Sequence, residues 1–127
     1  MGPLESFQVR LAYYGGLFDG EGSVYISRSN PTTKPRAFCV YVSVTMTDAA
    51  ALAWLVRDFG GAVRKCGNVR PPIVQRQPYK WCLASRKAWN FLTQVRSYTL
   101  IKYPQIDLAL EFLARQAQVG QVGRNGL

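Results

Sequence analysis

The stretch Leu11–Ser23, LAYYGGLFDGEGS, decides the fold predicted for this sequence. Apolar or aromatic side chains at Leu11, Tyr14 and Phe18 recur at the spacing of one helical face, so the stretch predicts a short α-helix. A pair of carboxylates set among glycines follows the last apolar residue. We therefore expect the helix to end at these acids, where the chain enters a strand.

A second face of this helix carries Tyr13, Gly16 and Gly20 at the same spacing. Each glycine costs a helix about 1 kcal/mol relative to alanine, so we expect the two to serve a purpose that offsets this cost. Small residues four positions apart let another backbone approach closely. The helix is therefore expected to pack tightly against a second helix and to present Asp19 and Glu21 beside the contact.

The segment Tyr14–Gly22, YGGLFDGEG, resembles the LAGLIDADG motif of homing endonucleases, in the variant whose last acid is glutamate. The resemblance is carried by two glycines, an apolar pair, the run D-G-E-G and a following Ser-Val that enters a strand. The alternative for the same residues is a turn at a strand entry whose carboxylates cap backbone amides.

Length and composition indicate one globular domain spanning residues 1–127. No apolar run reaches the length of a membrane span and no secretion signal is recognisable, so we expect an intracellular protein that is not secreted. Three separated cysteines form neither a disulfide framework nor a zinc pattern, and the lack of histidine excludes His-based catalysis and His-ligated zinc. Residues 1–6 and 118–127 are expected to be flexible.

The net charge of +9 is concentrated in the middle of the chain. Between Arg28 and Lys87, eleven basic residues are opposed only by Asp48 and Asp58, so this span accounts for the whole net charge. Such a basic block favours a polyanionic partner, because neutralised phosphates release their counterions. A basic surface that only keeps the protein dissolved is the alternative.

Two strands after the motif are expected to form an antiparallel hairpin with one buried face. Residues 23–28 and 37–45 alternate between apolar and mostly polar positions. The positions expected to face the core are Val24, Ile26, Val40, Val42 and Val44. The opposite face suits contacts to base edges and phosphates in a groove, although a solvated face would look similar. Its members are Ser23, Tyr25, Ser27, Cys39, Tyr41, Ser43 and Thr45.

The rest of the chain predicts a second helix–hairpin unit and two final helices. The predicted elements are a helix over residues 49–59 capped by Thr47 or Asp48, strands over 62–65 and 79–84, a helix over 85–95 capped by Ser85, and a last helix that begins at Pro104. In the fourth strand, Tyr79, Trp81 and Leu83 are expected to face the core, with Lys80 and Cys82 on the other face. The order αββαββαα indicates the α+β class.

This layout is that of a LAGLIDADG half-domain, so the resemblance extends over most of the chain. It implies an antiparallel four-stranded sheet that forms a saddle over the DNA major groove, with helices on one face. The chain has one motif and no second copy of it, so the resemblance implies a homodimer joined through Tyr13, Gly16 and Gly20. A symmetric dimer in turn implies a palindromic or near-palindromic target.

Double-stranded DNA is the partner that the resemblance implies, bound by the outer face of the sheet and by basic residues beside it. The candidate DNA-binding residues are Ser23, Tyr25, Ser27, Arg28, Arg36, Cys39, Tyr41, Ser43, Arg64, Arg70, Arg76 and Lys80.

Hydrolysis of a phosphodiester needs a nucleophilic water, a stabilised leaving oxygen and neutralised phosphate charge, which a metal site with oxygen ligands can supply. By the resemblance, Glu21 is the principal ligand of Mg²⁺, with Ca²⁺ or Mn²⁺ as substitutes, and the backbone carbonyl of Gly20 assists it. Two Glu21 carboxylates that meet across a dimer repel each other unless cations lie between them or one is protonated. Asp19 is either a further metal ligand or a structural acid. Lys102 is either a catalytic lysine near the scissile phosphate or a solvated surface residue.

Met46 is a departure from the family pattern, since many single-motif members carry a glutamine there that helps to position water. Thr45 or Thr47 could substitute for it, the DNA could order the water alone, or the enzyme is weak. The expected function is a homing endonuclease of the intron-encoded kind that makes Mg²⁺-dependent double-strand breaks with short 3′ overhangs. The alternatives are a LAGLIDADG-derived maturase that binds intron RNA and a DNA-binding regulator that does not cut.

Overall fold

The computed structural model describes residues 5–28, 38–67 and 76–124. Within these ranges the chain forms four α-helices, four strands and one 3₁₀ turn. Their bounds are α1 Phe7–Glu21, β1 Gly22–Arg28, β2 Phe38–Met46, α2 Ala49–Phe59, β3 Ala62–Lys65, β4 Tyr79–Ala84, α3 Ser85–Val95, the 3₁₀ turn Arg96–Tyr98, and α4 Tyr103–Arg124. The predicted α+β order αββαββαα is therefore confirmed.

The four strands form one antiparallel sheet in the order β1-β2-β4-β3. β1 and β2 form the predicted hairpin, with Tyr25 opposite Tyr41, while β4 pairs with β2 on one side and with β3 on the other. The helices pack on one face of this sheet. One packed face and one open face explain why apolar and polar residues alternate along the strands.

The packed face of the sheet consists of side chains that the alternation placed inward. Val40, Val42 and Val44 of β2 and Trp81 of β4 are at most 1% exposed, so the predicted registers of these strands are confirmed. Ile26, also predicted to face inward, is 46% exposed, because β1 lies at the edge of the sheet.

Helix α1 is longer than predicted, since it begins at Phe7 rather than at Leu11. The backbone N–H of Val9 donates a hydrogen bond to the Ser6 hydroxyl oxygen at 3.4 Å, so Ser6 is the N-cap. The Phe7 ring lies 6.1 Å from the Phe59 ring. The added turn therefore contacts a residue that is distant in the sequence, which no local pattern reveals.

The start of α3 also differs from the prediction. Ser85 does not cap α3, because Ala84 is the N-cap and Ser85 is the first residue of α3, with a positive φ of 54°. The physical reason is that β4 runs into α3 without a linker, so the chain turns at Ser85 itself. α4 continues to Arg124, while the flexibility predicted for residues 1–6 and 118–127 stays a prediction. Neither α4 nor any other helix in the described ranges is long and apolar enough to cross a membrane.

Candidate nucleic-acid interface

One face of α1 is closed by contacts within the chain. Tyr14, Gly15 and Phe18 are its buried residues. A Cβ atom built on Gly15 would lie 2.4 Å from the Cβ of Tyr98 and 2.6 Å from its backbone oxygen, so the 3₁₀ turn approaches α1 this closely only because residue 15 is glycine. The helical spacing in the sequence does not single out Gly15, because its constraint comes from a distant segment.

An ion pair fixes the same face of α1 to α2. Arg10 Nε donates to Asp58 Oδ2 at 2.8 Å, Arg10 Nη2 donates to Oδ1 at 3.1 Å, and the Tyr14 hydroxyl donates to Oδ2 at 2.6 Å. The Asp58 side chain is 8% exposed. Burial raises the pKa of Asp58, but the hydrogen bonds from Arg10 and Tyr14 and the Arg10 charge outweigh burial and hold the pKa below its ordinary value. Burial and the bond to Asp58 raise the pKa of Tyr14 well above its ordinary value, so the phenol stays neutral.

The opposite face of α1, which we call the open α1 face, consists of Tyr13, Gly16 and Gly20. Tyr13 is 41% exposed, and a Cβ atom on Gly16 or Gly20 would meet no atom within 4 Å in the described part of the chain. Leu100 and Ile101 lie at the C-terminal end of α1 and are 86% and 66% exposed. The structure therefore brings the three residues of the predicted interface to one uncovered surface with apolar side chains near its end.

Asp19 has a structural role in this fold. Its Oδ2 accepts a hydrogen bond from the N–H of Leu100 at 2.6 Å, and its Oδ1 accepts from the N–H groups of Ile101 at 3.1 Å and Lys102 at 3.0 Å. Burial raises the pKa of Asp19, but these three bonds and the Lys102 charge outweigh it and hold the pKa below its ordinary value. The carboxylate ties the end of α1 to the segment before α4. Metal ligation by Asp19 stays a prediction.

Lys102 lies beside the end of α1, and its expected place near the scissile phosphate stays a prediction. Its Nζ donates a hydrogen bond to the backbone carbonyl oxygen of Asp19 at 3.0 Å. Carbonyls in the last turn of a helix lack partners inside the helix, and here the N–H of Gly22 bonds the carbonyl of Phe18 while Lys102 bonds the next one. An ammonium has three donor hydrogens, so this bond occupies one of them.

Glu21 is the last residue of α1, and its side chain is exposed. It lines a groove of about 340 Å³ together with Thr45, Met46, Thr47 and Pro78. Met46 therefore lies beside Glu21, where the family pattern has a glutamine. The two threonines that could substitute for that glutamine line the same groove.

The donor set at the end of α1 suits a hard cation. No group of three or more His, Cys, Asp or Glu side chains that could hold a metal ion occurs in residues 5–28, 38–67 and 76–124 of the single chain. Glu21 contributes a carboxylate, and Gly20 contributes a backbone oxygen in the last helical turn, where the helix dipole is negative. Mg²⁺ and Ca²⁺ prefer oxygen ligands of these kinds. Within the described residues, Glu21 and Gly20 offer oxygen atoms of the kind that the expected ion prefers, and their ligation of a metal stays a prediction.

The open face of the sheet carries a stacked pair of tyrosines. Tyr25 and Tyr41 are cross-strand partners whose ring centroids lie 5.3 Å apart at an interplanar angle of 20°. Lys80 Nζ lies over the Tyr25 ring, 5.9 Å from its centroid, within range of a cation–π interaction. Partial burial, with a contribution from Cys39, raises the pKa of Tyr41. We call these two tyrosines and Lys80 the tyrosine–lysine cluster.

A cavity of about 460 Å³ opens beside the tyrosine–lysine cluster. Arg64 and Lys65 of β3 line it with the cluster, and its remaining lining residues are Ala62, Cys66 and Cys82. Cations around one concave surface favour an anionic ligand. Lys65 is not among the residues selected from the sequence; it reaches the cavity because it ends β3.

The predicted DNA-binding residues fall into three groups. Those on the open sheet face are Ser23, Tyr25, Ser27, Cys39, Tyr41, Ser43, Arg64 and Lys80, and the alternation predicted this face for all of them except Arg64. Ser43 is only 4% exposed, because Ser23 and Cys82 lie opposite it on the flanking strands. Arg76 is exposed before β4, and Arg28 ends β1. Arg36 and Arg70 lie outside the described residues, and contact of any of these groups with DNA stays a prediction.

Several solved structures have a similar fold. The homing endonuclease I-CvuI in complex with its target, solved with calcium, has a TM-score of 0.69 at 19% identity, over 84% of this chain and 67% of its own. The archaeal intron-encoded homing endonuclease I-Vdi141I, complexed with DNA, has a TM-score of 0.66 at 18% identity, over 89% and 72%. The LAGLIDADG homing endonuclease I-SmaMI, bound to cleaved DNA, has a TM-score of 0.62 at 24% identity, over 90% and 39%. No family model and no curated protein matches the sequence.

These similarities, at low sequence identity, identify the architecture. The chain has the α+β fold of the LAGLIDADG homing endonucleases, so the half-domain predicted from the sequence is confirmed. This chain spans only 39% of the length of I-SmaMI.

Proposed function

We propose that this protein is a site-specific homing endonuclease that cuts double-stranded DNA as a homodimer. The observation that carries the proposal is the end of α1. There the Glu21 side chain is exposed, and Lys102 Nζ donates a hydrogen bond to the Asp19 carbonyl oxygen, two residues earlier, at 3.0 Å. The cationic cavity on the open sheet face supports a polyanionic partner. The shared fold with I-CvuI and I-Vdi141I, both solved with DNA, supports the same choice. An intracellular location and an intron origin are parts of this proposal that rest on the resemblance.

The homodimer is supported by the open α1 face. Gly16 and Gly20 each cost α1 about 1 kcal/mol relative to alanine. A Cβ atom on either would meet no atom within 4 Å in the described chain, so no close approach there accounts for the glycines. Packing of two copies of α1 along this face would use both glycines and cover Tyr13. A two-fold dimer doubles the end of α1 and requires a palindromic or near-palindromic target.

In the proposed enzyme, Glu21 and the Gly20 carbonyl hold Mg²⁺, with Ca²⁺ or Mn²⁺ as substitutes. A bound divalent ion supplies neutralisation of phosphate charge and activation of water. Lys102 places a positive charge at the same helix end, where it can stabilise charge that develops on phosphate oxygens. Asp19 is a positioning residue, because it holds the backbone from which Lys102 projects. The short 3′ overhangs are expected from the resemblance alone.

The proposal is tested by cleavage of a pooled library of long palindromic duplexes with Mg²⁺ and with EDTA. We expect discrete double-strand cuts that need Mg²⁺ and that fall about a thousandfold in Glu21→Gln, equivalent to about 4 kcal/mol of activation free energy, while binding persists. Glu111→Gln is the matched control, since Glu111 is an exposed acid paired with Arg115 on α4. Cutting by Glu21→Gln at the wild-type rate would refute the site assignment.

A DNA-binding regulator without cleavage is the second candidate, and Met46 is the observation that favours it. The Met46 thioether lines the groove beside Glu21 and cannot position a water as an amide can. Specific duplex binding without cuts by the wild type, together with cuts by Met46→Gln, would select this candidate.

A further inference from the structure

The tyrosine–lysine cluster has a composition that phosphate binding alone does not explain. Affinity for a polyanion needs cations, yet two aromatic rings occupy the face between β1 and β2, and Tyr25 is 40% exposed. We propose that Tyr25 and Tyr41 read the methyl groups of thymines in the major groove of the target duplex. This inference rests on the proposed function and adds a specificity determinant to it.

The stacking of the pair covers one face of each ring, so the outward ring edges are the surface that both tyrosines share for a ligand. A centroid separation of 5.3 Å at an interplanar angle of 20° is offset stacking, so each tyrosine covers one face of the other. Lys80 Nζ also lies over the Tyr25 ring. Side chains stand roughly perpendicular to a sheet, so the pair turns ring edges and hydroxyls outward. Edges suit contact with a base-pair edge, whereas stacking of unpaired bases needs an uncovered ring face.

The adjacent cavity is complementary to an apolar group carried by a polyanion. Tyr25, Tyr41 and Ala62 contribute apolar surface to its lining, and the cations Arg64, Lys65 and Lys80 share it. In the major groove only thymine presents a methyl group, and it does so between two phosphate backbones. A methyl group against the ring edges would leave the cations close to the flanking phosphates.

The open sheet face divides the two tasks between its strands. The outward positions of β1 and β2 carry no charged side chain in the described strands, since they are serines, tyrosines, a cysteine and a threonine. The cations Arg64, Lys65 and Lys80 belong to β3 and β4. We call β1 and β2 the neutral half of this face, and β3 and β4 the cationic half. If the neutral half reads bases and the cationic half binds phosphates, mutations in the first should change sequence preference and mutations in the second should change overall affinity.

The test uses the full-length protein and the duplex that it selects from a random library in Ca²⁺. Each thymine of that site is replaced by deoxyuridine, which removes the methyl group and leaves base pairing unchanged. Burial of one such carbon is worth about fourfold in affinity. At the position that the tyrosines read, we expect a loss of roughly fifteenfold when both half-sites are replaced.

Variants separate the ring from the hydroxyl and from charge. We call the loss of affinity on replacement of thymine by deoxyuridine the uracil penalty. The double variant Tyr25→Phe with Tyr41→Phe keeps the ring edges and should retain this penalty, whereas Tyr25→Ser with Tyr41→Ser should remove it. Arg64→Gln is the control from the cationic half. It should weaken binding and lower the salt slope by about one unit per protomer, with the uracil penalty unchanged.

The possible results distinguish the inference from the proposed function. Specific binding that is equal for thymine and uracil duplexes overturns the inference and leaves the function standing. Failure to select any duplex overturns both. Tighter, tyrosine-dependent binding of single-stranded RNA overturns edge reading and favours the maturase instead.

Discussion

Gly15 and Gly16 are neighbours in α1, yet different surroundings constrain them. A Cβ atom on Gly15 would lie 2.4 Å from the Tyr98 side chain, whereas a Cβ atom on Gly16 would meet no atom within 4 Å in the described chain. Contacts inside the protomer thus explain one glycine completely. No contact within the described residues explains the other, and a second copy of α1 would cover it in the proposed dimer.

The same contrast holds for the two faces of α1 as a whole. The closed face is fixed by Tyr14, Phe18 and the Arg10–Asp58 pair, all of which act within one chain. The open α1 face has no such contacts in the described structure, and the helix ends at the exposed Glu21. One face of α1 thus builds the protomer, and the other is the face that the proposed dimer and the proposed chemistry would use.

The largest effect on stability is expected on the closed face, from Asp58→Asn. This change breaks a largely buried ion pair, so we expect the free energy of unfolding to fall by about 3–5 kcal/mol in urea denaturation at neutral pH. The folded-state pKa of Asp58 is lowered, so its contribution is present above the ordinary pKa and is lost as pH falls through the lowered one. The wild type should therefore lose this advantage over the variant in acid.

Asp107→Asn is the control for that experiment, because the Asp107–Arg96 pair is exposed. Its effect on unfolding at neutral pH should be small, as for surface pairs in general. An equal effect of the two substitutions would show that the closed face is not held by the Asp58 network.

The adjacent glycines allow the comparison itself to be broken. Gly15→Ala should lower the free energy of unfolding by about 1–3 kcal/mol, because the new methyl group overlaps the 3₁₀ turn. Gly16→Ala should raise it by up to about 1 kcal/mol in dilute protein, since alanine favours the helix. Chemical denaturation of both variants, at a concentration where protomers are separate, measures the difference. Equal shifts of the same sign would contradict the assignment of the two faces.

A smaller effect is expected at the junction of the two faces, from Asp19→Asn. The amide can replace only part of the hydrogen bonding to residues 100–102, so the free energy of unfolding should fall by about 1 kcal/mol. Cutting should fall only slightly if Asp19 is a positioning residue. A loss of cutting as large as that of Glu21→Gln, measured on the same duplex, would make Asp19 a metal ligand.

Much of the fold could be predicted because its signals are local. The alternation along β2 and β4 indicated which side chains face the core, and Trp81 and Val42 are fully buried as expected. The helix end after Phe59 could likewise be expected from Gly60, which has a positive φ of 82°.

The features that the sequence did not reveal depend on distant contacts. Asp19 caps amides more than 80 residues away, and the constraint on Gly15 comes from Tyr98. The Arg10–Asp58 pair spans 48 residues and follows no period. At the candidate site, Glu21 and Lys102 were indicated by the resemblance to a family, because a single carboxylate and a single lysine have no distinctive pattern of their own.

The most direct test of the account is sedimentation equilibrium of the wild type and Gly16→Leu, combined with the cleavage assay. Leucine favours the helix and its Cβ would meet no atom within 4 Å in the described protomer, but its side chain would keep two copies of α1 apart. We predict that the wild type sediments at twice the protomer mass and cuts, whereas folded Gly16→Leu sediments at the protomer mass and does not cut. Cutting by a wild-type monomer, or by a dimeric Gly16→Leu at the wild-type rate, would contradict it.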